Sequence, residues 1–369
     1  MKIFNRLCGA RLYIVVQFEE PFSVATPFAM ELSRKLSSIL DENNAVAITE
    51  RWFGSRGMLP AMGILPAQTG VTSIVNPPCI ENIPVAGCQI EALVKDKISS
   101  LEPVENANRC VGVRWKESDC DFARLCGLDA RNLKSDNPCD QTDAVLDDAV
   151  ALLETCGMTY HDVVRTWFYL NDILSWYDDF NKTRSAYYRK LGIMPDITKS
   201  DFTPPEQCYL PASTGIRGAN LADTNVTLDL IAMRGTGGRV RRLTNSKQKD
   251  AFRYGAAFSR ATAIEMPGAT EVQISGTAAI DETGASVFLN NPEAQIRCTL
   301  DTIENLIADA NCSLQNICSA TAFLKHKEYY PLLKNILKER GLENLPVVIT
   351  IADVCRDNLL FEMDGIACR

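Results

Sequence analysis

The segment LDDAVALLETCGMTYHDVVRTWFYL, residues 146–170, returns 154 residues later as LDTIENLIADANCSLQNICSATAFL, residues 300–324. The two align without a gap: Leu146 falls on Leu300, Asp147 on Asp301, Leu152 on Leu306 and Leu170 on Leu324. In the first copy Ala144, Leu146, Ala149, Leu152 and Leu153 recur at helical spacing, and Gly157 ends the helix. Asn311 stands where Gly157 stood, and both residue types suit a left-handed helix cap. VVRTWFYL, residues 163–170, follows as a strand. A second helical stretch, SWYDDFNKTRSAYYRKLG, closes at Gly192, and YYPLLKNILKERGLE is its counterpart. The order helix–strand–helix therefore occurs twice, which predicts a duplicated α+β unit.

Moving outward, the segment RGTGGRVRRLTNSKQKD, residues 234–250, is polar and basic and reads as a solvated linker. Before it lies CYLPASTGIRGAN, residues 208–220, where Ser213, Thr214 and Gly215 form a small-residue loop and Arg217 follows. Such a loop offers hydroxyls and backbone N–H groups to an anion, or is an ordinary turn. After the linker, YGAAFSRATAIE and EVQISGTAAIDETGA read as two strands, the second ending in a turn at Asp281–Gly284. The run VVITIADV–CRDN–LLFEMDGIA, residues 347–367, reads as a closing hairpin. Glu362 sits inside its second apolar run, between Phe361 and Met363. It either faces solvent on an edge strand or is buried, and burial would raise its pKa and favour it as a general acid. Arg165 shares a strand face with Val163 and Trp167, where a cation needs a partner. In residues 1–110, VVQF, AVAIT, TSIV and CVGVRW are strand candidates, and NPPCIENIP and the stretch from Gly54 to Gly63 read as loops.

The chain of 369 residues suffices for two domains. Its net charge of −8 disfavours a nucleic-acid or anionic-membrane partner, so an anionic ligand would need local arginines. No apolar run reaches about 18 residues, which argues against a membrane span. The N-terminal run LYIVVQF is weak for a signal peptide, so a cytoplasmic location is expected. The 14 cysteines form no CxxC pair and there are two histidines, His161 and His326, which argues against a zinc site or a disulfide scaffold.

FSRATAIE, VQISGTAAIDETGA, the helix–strand segment 294–324 and LLFEMDGIA resemble a RidA/YjgF-type domain over residues 252–367. Residues 141–192 resemble the same unit. The tandem arrangement, with YLPASTGIRG and YGAAFSRA between the units, resembles the chorismatase family, and the resemblance covers about residues 110–367. It implies an α+β fold of tandem RidA/YjgF-like (chorismate mutase-like) domains, with mixed sheets and helices packed on one face. The expected boundaries are an N-terminal domain, 1–233, holding a degenerate unit, the linker 234–250 and a C-terminal domain, 251–369. The implied activity converts chorismate to 3-hydroxybenzoate and pyruvate. Glu362 matches the glutamate that protonates the enol ether. Cys355, seven residues before it, matches a cysteine of the 3-hydroxybenzoate branch; the hydrolytic branch has alanine there.

Arg165, Arg217 and Arg260 are the expected partners of the two substrate carboxylates, with Tyr209, Ser213 and Thr214 as neutral donors. Gly276, in the small-residue segment 275–278, would let the ring approach the backbone. RidA imine deaminases hold a carboxylate with an arginine at the start of the penultimate strand. Here that position holds Pro346, Val347 or Val348, which disfavours the deaminase. No metal or organic cofactor is implied, and a monomer or small homo-oligomer is expected. A hydrolytic chorismatase and a non-catalytic RidA-like carboxylate-binding protein are the alternatives.

Overall fold

The computed structural model describes residues 1–20, 26–59, 69–107, 109–194, 209–244, 251–254 and 256–369. The loop positions 60–63 and the end of the expected linker, 245–250, lie outside the described residues.

The described residues form three sheets. The first unit runs β1 (Lys2–Cys8), β2 (Arg11–Gln17), α1 (Thr26–Glu42), β3 (Ala45–Gly54), β4 (Gly70–Val75) and β5 (Val85–Val94). Its sheet order is β1-β2-β5-β3-β4. The second runs β6 (Ser100–Asn106), β7 (Arg109–Glu117), β8 (Cys120–Asp129), α2 (Pro138–Thr155), β9 (Val163–Leu170), α3 (Ile173–Lys190), β10 (Ala212–Arg217) and β11 (Val226–Gly235). The third runs β12 (Arg239–Leu243), β13 (Ala261–Met266), β14 (Ala269–Ala278), α4 (Pro292–Ala308), β15 (Ile317–Leu324), α5 (Tyr330–Glu339), β16 (Val347–Ile351) and β17 (Phe361–Cys368).

The second and third sheets have one topology, β6-β7-β8-β11-β9-β10 and β12-β13-β14-β17-β15-β16. The first sheet repeats it without the opening strand. The chain thus carries three copies of one unit where the sequence displayed two. The four strand candidates read in residues 1–110 fall in β2, β3, β4 and β7. Strand β12 lies inside the segment read as linker.

Each sheet buries one face against its own helices. Leu32, Leu36 and Leu40 of α1 pack on Leu12, Ile14 and Cys88. Leu146, Ala149 and Leu153 of α2 pack with Phe168 and Leu170, and Ile296, Leu300 and Ile303 of α4 with Ala320 and Ala322. Gly157 (φ +73°) and Asn311 (φ +55°) take the left-handed conformation that ends α2 and α4. The opposite sheet faces meet in a shared core of Phe53, Trp115, Trp167, Ile231, Phe323 and Val348. Burying such large side chains stabilises the arrangement by about 1.5–3 kcal/mol each.

The closing hairpin is not formed. Strand β16 pairs parallel with β15, and β17 pairs antiparallel with β15 on its other side. Two apolar runs around a polar link cannot reveal that a third strand lies between them. The link therefore crosses the end of β15 instead of turning tightly. Nor are all the cysteines thiols: Cys8 of β1 and Cys368 of β17 form a disulfide. No helix among the described residues is long and apolar enough to cross a membrane.

Candidate active site

Strand β17 lies between β14 and β15, so Glu362 is on a central strand and only 5% exposed. The solvent-facing alternative is thereby removed. Its register partners are Ala278 on β14 and Phe323 on β15. Glu362 lines a cavity of about 410 Å3 between the second and third units, a size usual for small-molecule sites, which span about 300–1,000 Å3. Its Oε1 is buried without a hydrogen-bond partner. Burial, reinforced by the nearby Asp364 carboxylate, pushes its pKa up to about 8, against the opposing pull of Arg165 and Arg260. Glu362 therefore carries a transferable proton at neutral pH.

A bulge shapes the wall beside it. Between Ile274 and Thr277 the β14–β17 register shifts, so Ser275 and Gly276 together face Asp364. A Cβ at Gly276 would run into the Glu362 carboxyl. Glycine is required here because the acid occupies the space a side chain would take.

The cavity brings together Glu362, Cys355, Ser213, Arg260 and Gly276 from the sequence reading. Cys355 reaches it because the link 352–360 is a crossing and not a turn. The Cys355 thiol is pushed up to about 12, first by burial and then by Glu362, so it is a neutral group at neutral pH.

Arg165, Thr214, Tyr209 and Arg217 do not line the cavity. Arg165 found its partner beneath the site. Its guanidinium bonds Asp364 at 3.1 Å and Thr214 at 2.6 Å and lies 4.2 Å from the Trp167 ring centre. Thr214 donates to Asp364 at 2.7 Å and accepts from the Gly276 N–H at 3.0 Å. Tyr209 is exposed and stacks on His161. Arg217 lies at the far end of β10, 3.8 Å from Asp353.

Five lining residues come from α3, Asp178 and Lys182 among them; three that were not singled out in the sequence share one helix face: Tyr177, Asn181 and Arg184. Arg184 is 1% exposed, donates to Asn181 at 2.9 Å and lies over the Phe180 ring. Among the described residues its Nε has no hydrogen-bond partner. A buried cation left this way suits an anionic ligand. The available signal was the i, i+4, i+7 spacing of the three, which puts them on one helix face. Arg356 also lines the cavity; it is tied to Gly284 O at 2.6 Å. Among the described residues no cluster of His, Cys, Asp and Glu is arranged to hold a metal ion.

Comparison with known proteins agrees with this architecture. The Endoribonuclease L-PSP family, to which RidA proteins belong, matches residues 249–368. The fold and site define a protein assembled from RidA-like units around one shared core. A 3-hydroxybenzoate synthase of Streptomyces hygroscopicus is 30% identical over 244 residues, 58% of this chain and just under two thirds, 65%, of that protein. A chorismatase of Streptomyces rapamycinicus is 27% identical over 249 residues, 61% of this chain and 69% of that one. A chorismatase crystal structure superposes over 98% of this chain and 99% of its own, with a TM-score of 0.67 at 17% identity. The chain is thus similar in sequence to these two proteins and shares the fold of a chorismatase.

Proposed function

We propose that the protein is an enzyme converting chorismate to 3-hydroxybenzoate and pyruvate, with Glu362 as general acid. The observation that carries this reading is a buried carboxyl, protonated at neutral pH, facing a cavity that also holds the cations Arg184 and Arg260. Chorismate is a dianion with an enol ether, and both features need what this cavity offers.

In this reading Glu362 delivers its proton to the methylene carbon of the enol ether. Positive charge develops at the adjacent ether carbon, and the glutamate left behind is an anion that stabilises it. Arg184 and Arg260 hold the two carboxylates by charge-assisted hydrogen bonds, each contributing about 1.5–3 kcal/mol. The ring's 4-hydroxyl then participates, pyruvate leaves and the ring aromatises. Aromatisation releases a ring proton, so Glu362 is reprotonated and no water is consumed overall. Cys355, a neutral and compact wall group, shapes the space beside the ring and steers it away from water addition. The product assignment rests on Cys355.

The strand starts argue against imine deamination. Strand β10 begins Ala212–Ser213 and β16 begins Val347–Val348, so neither supplies the anchoring arginine.

The test is incubation of the purified chain with chorismate, measurement of pyruvate, and chromatography of the ring product. Equimolar pyruvate and 3-hydroxybenzoate are expected. No pyruvate would sink the chorismatase reading, and a non-aromatic diene diol would sink the role given to Cys355. Glu362→Gln is expected to lose turnover by about 10²–10⁴-fold while calorimetry still detects chorismate binding.

A further inference from the structure

Two residues beyond Glu362 on the same strand, and on the same face, lies Asp364, 2% exposed. A second buried carboxylate this close to a catalytic acid is costly unless it has a task. It has two donors: Arg165 donates to it at 3.1 Å and Thr214 at 2.7 Å. Thr214 in turn accepts the Gly276 N–H, the backbone group that floors the Glu362 carboxyl. Asp364 is thus tied through one hydroxyl to the wall of the acid's own niche. Asp364 does not line the cavity.

We propose that Asp364 is a positioning residue that keeps Glu362 in its carboxylic acid form, its fixed negative charge disfavouring a second anion on the same strand face. This rests on the reading of Glu362 as the general acid and deepens it. The groups that act on Glu362 are Asp364 on its own strand, Arg165 on β9, Arg260 ahead of β13, Tyr177 on α3 and Cys355 in the link before β17, while Asp178, Lys182, Arg184 and Arg356 line the same cavity. The two arginines favour the anion. The tyrosine and the thiol stay neutral, since burial raises both. Asp364 is the one group acting on Glu362 whose charge favours the acid, and without it the two cations would act unopposed.

The experiment is the pH dependence of kcat/KM for wild type, Asp364→Asn and Arg165→Gln. Asparagine keeps an oxygen for Arg165 and Thr214 and removes only the charge. In Asp364→Asn the basic limb should move to lower pH by a unit or more. That appears as a roughly fivefold or larger loss at pH 8 with the rate at pH 5 changed less than threefold. In Arg165→Gln the limb should move the other way. Displacements of opposite sign cannot come from a packing defect. An unmoved limb, or a uniform loss across pH in both variants, would overturn the proposal.

If Asp364→Asn fails to fold, Thr214→Val keeps the carboxylate but releases it from the niche, and a smaller downward displacement is expected. An unmoved limb in that variant counts against the proposal. Infrared difference spectra of each chain against its Glu362→Gln counterpart follow the carboxylic acid C=O stretch without substrate. They test this proposal even if chorismate proves not to be the substrate. A C=O band lost at the same pH with and without the Asp364 charge would overturn it.

Discussion

Glu362 holds a proton in the folded chain that the unfolded chain would release, and in the proposed mechanism this couples catalysis to stability. Its pKa is raised from 4.5 to about 8, so between those values the folded state binds more protons than the unfolded state. Its contribution to stability is therefore present below about pH 4.5 and is lost as pH rises through 8. The loss is on the order of a few kcal/mol. Thermal denaturation from pH 5 to pH 9 should show wild type weakening relative to Glu362→Gln as pH rises. The kcat/KM profile should fall on its basic side near pH 8. Parallel melting curves for the two chains would contradict the buried-acid assignment. At this scale Glu362 and Cys355 were legible through the family pattern. Arg184 was not, because an arginine in a charged amphipathic helix looks like a surface residue until the partner unit closes over it. Arg165 was read as needing a partner, and it has one, but Asp364 is 199 residues away and no local pattern joins them.

At the scale of elements, helices and their following strands were legible because two 25-residue segments carry the same period and the same cap positions. Pairing was not. Strands β16 and β17 satisfy every local hairpin signal, yet each bonds to β15, and register between non-adjacent strands leaves no trace in either one. The bulge at Ser275–Gly276 was likewise invisible. It has a close counterpart: β8 and β11 shift register at Cys126–Gly127, opposite Asp229. The bulge makes room for an acid in one unit only, so Gly276→Ala is a direct probe of it. The added methyl meets the end of a flexible side chain, so the fold should survive with a melting temperature within a few degrees. The Glu362 carboxyl must then move, and kcat should fall at least several-fold. A wild-type kcat would remove the niche from the mechanism.

At the scale of the molecule, the three units meet around Gln89, Asp229 and Asp364, one on the last strand of each sheet. Arg51 bonds both Asp229, at 2.8 Å, and Gln89, at 3.2 Å, and Gln89 reaches Ala320 O at 2.8 Å. Two residues before each of these positions stand Gly87, Thr227 and Glu362. Only the third is an acid. Beside Gly87 the space is occupied by Val348, which a Cβ there would strike. Among the described residues, one unit boundary out of three thus carries an acid at this position. Titration calorimetry of the inactive Glu362→Gln chain with chorismate should give about one site per chain. Two or three equivalent sites would contradict this asymmetry. The first unit escaped the sequence reading because its helix and strands share no run of matching residues with the other two. Its kinship lies in strand order alone.

The bridge between Cys8 and Cys368 joins two strands 360 residues apart in sequence. Force applied through the two ends of the oxidised chain would load β1, which precedes the bond, and then travel across it, leaving the strands from β2 to β17 unloaded. An optical-trap tether on its ends should therefore show almost no extension until the bond is reduced. Afterwards the sheets come under tension, and the released contour length should approach roughly 120 nm at about 3.4 Å per residue. The bridge makes mechanical resistance a property of the chain's closure, independent of the strength of any one sheet.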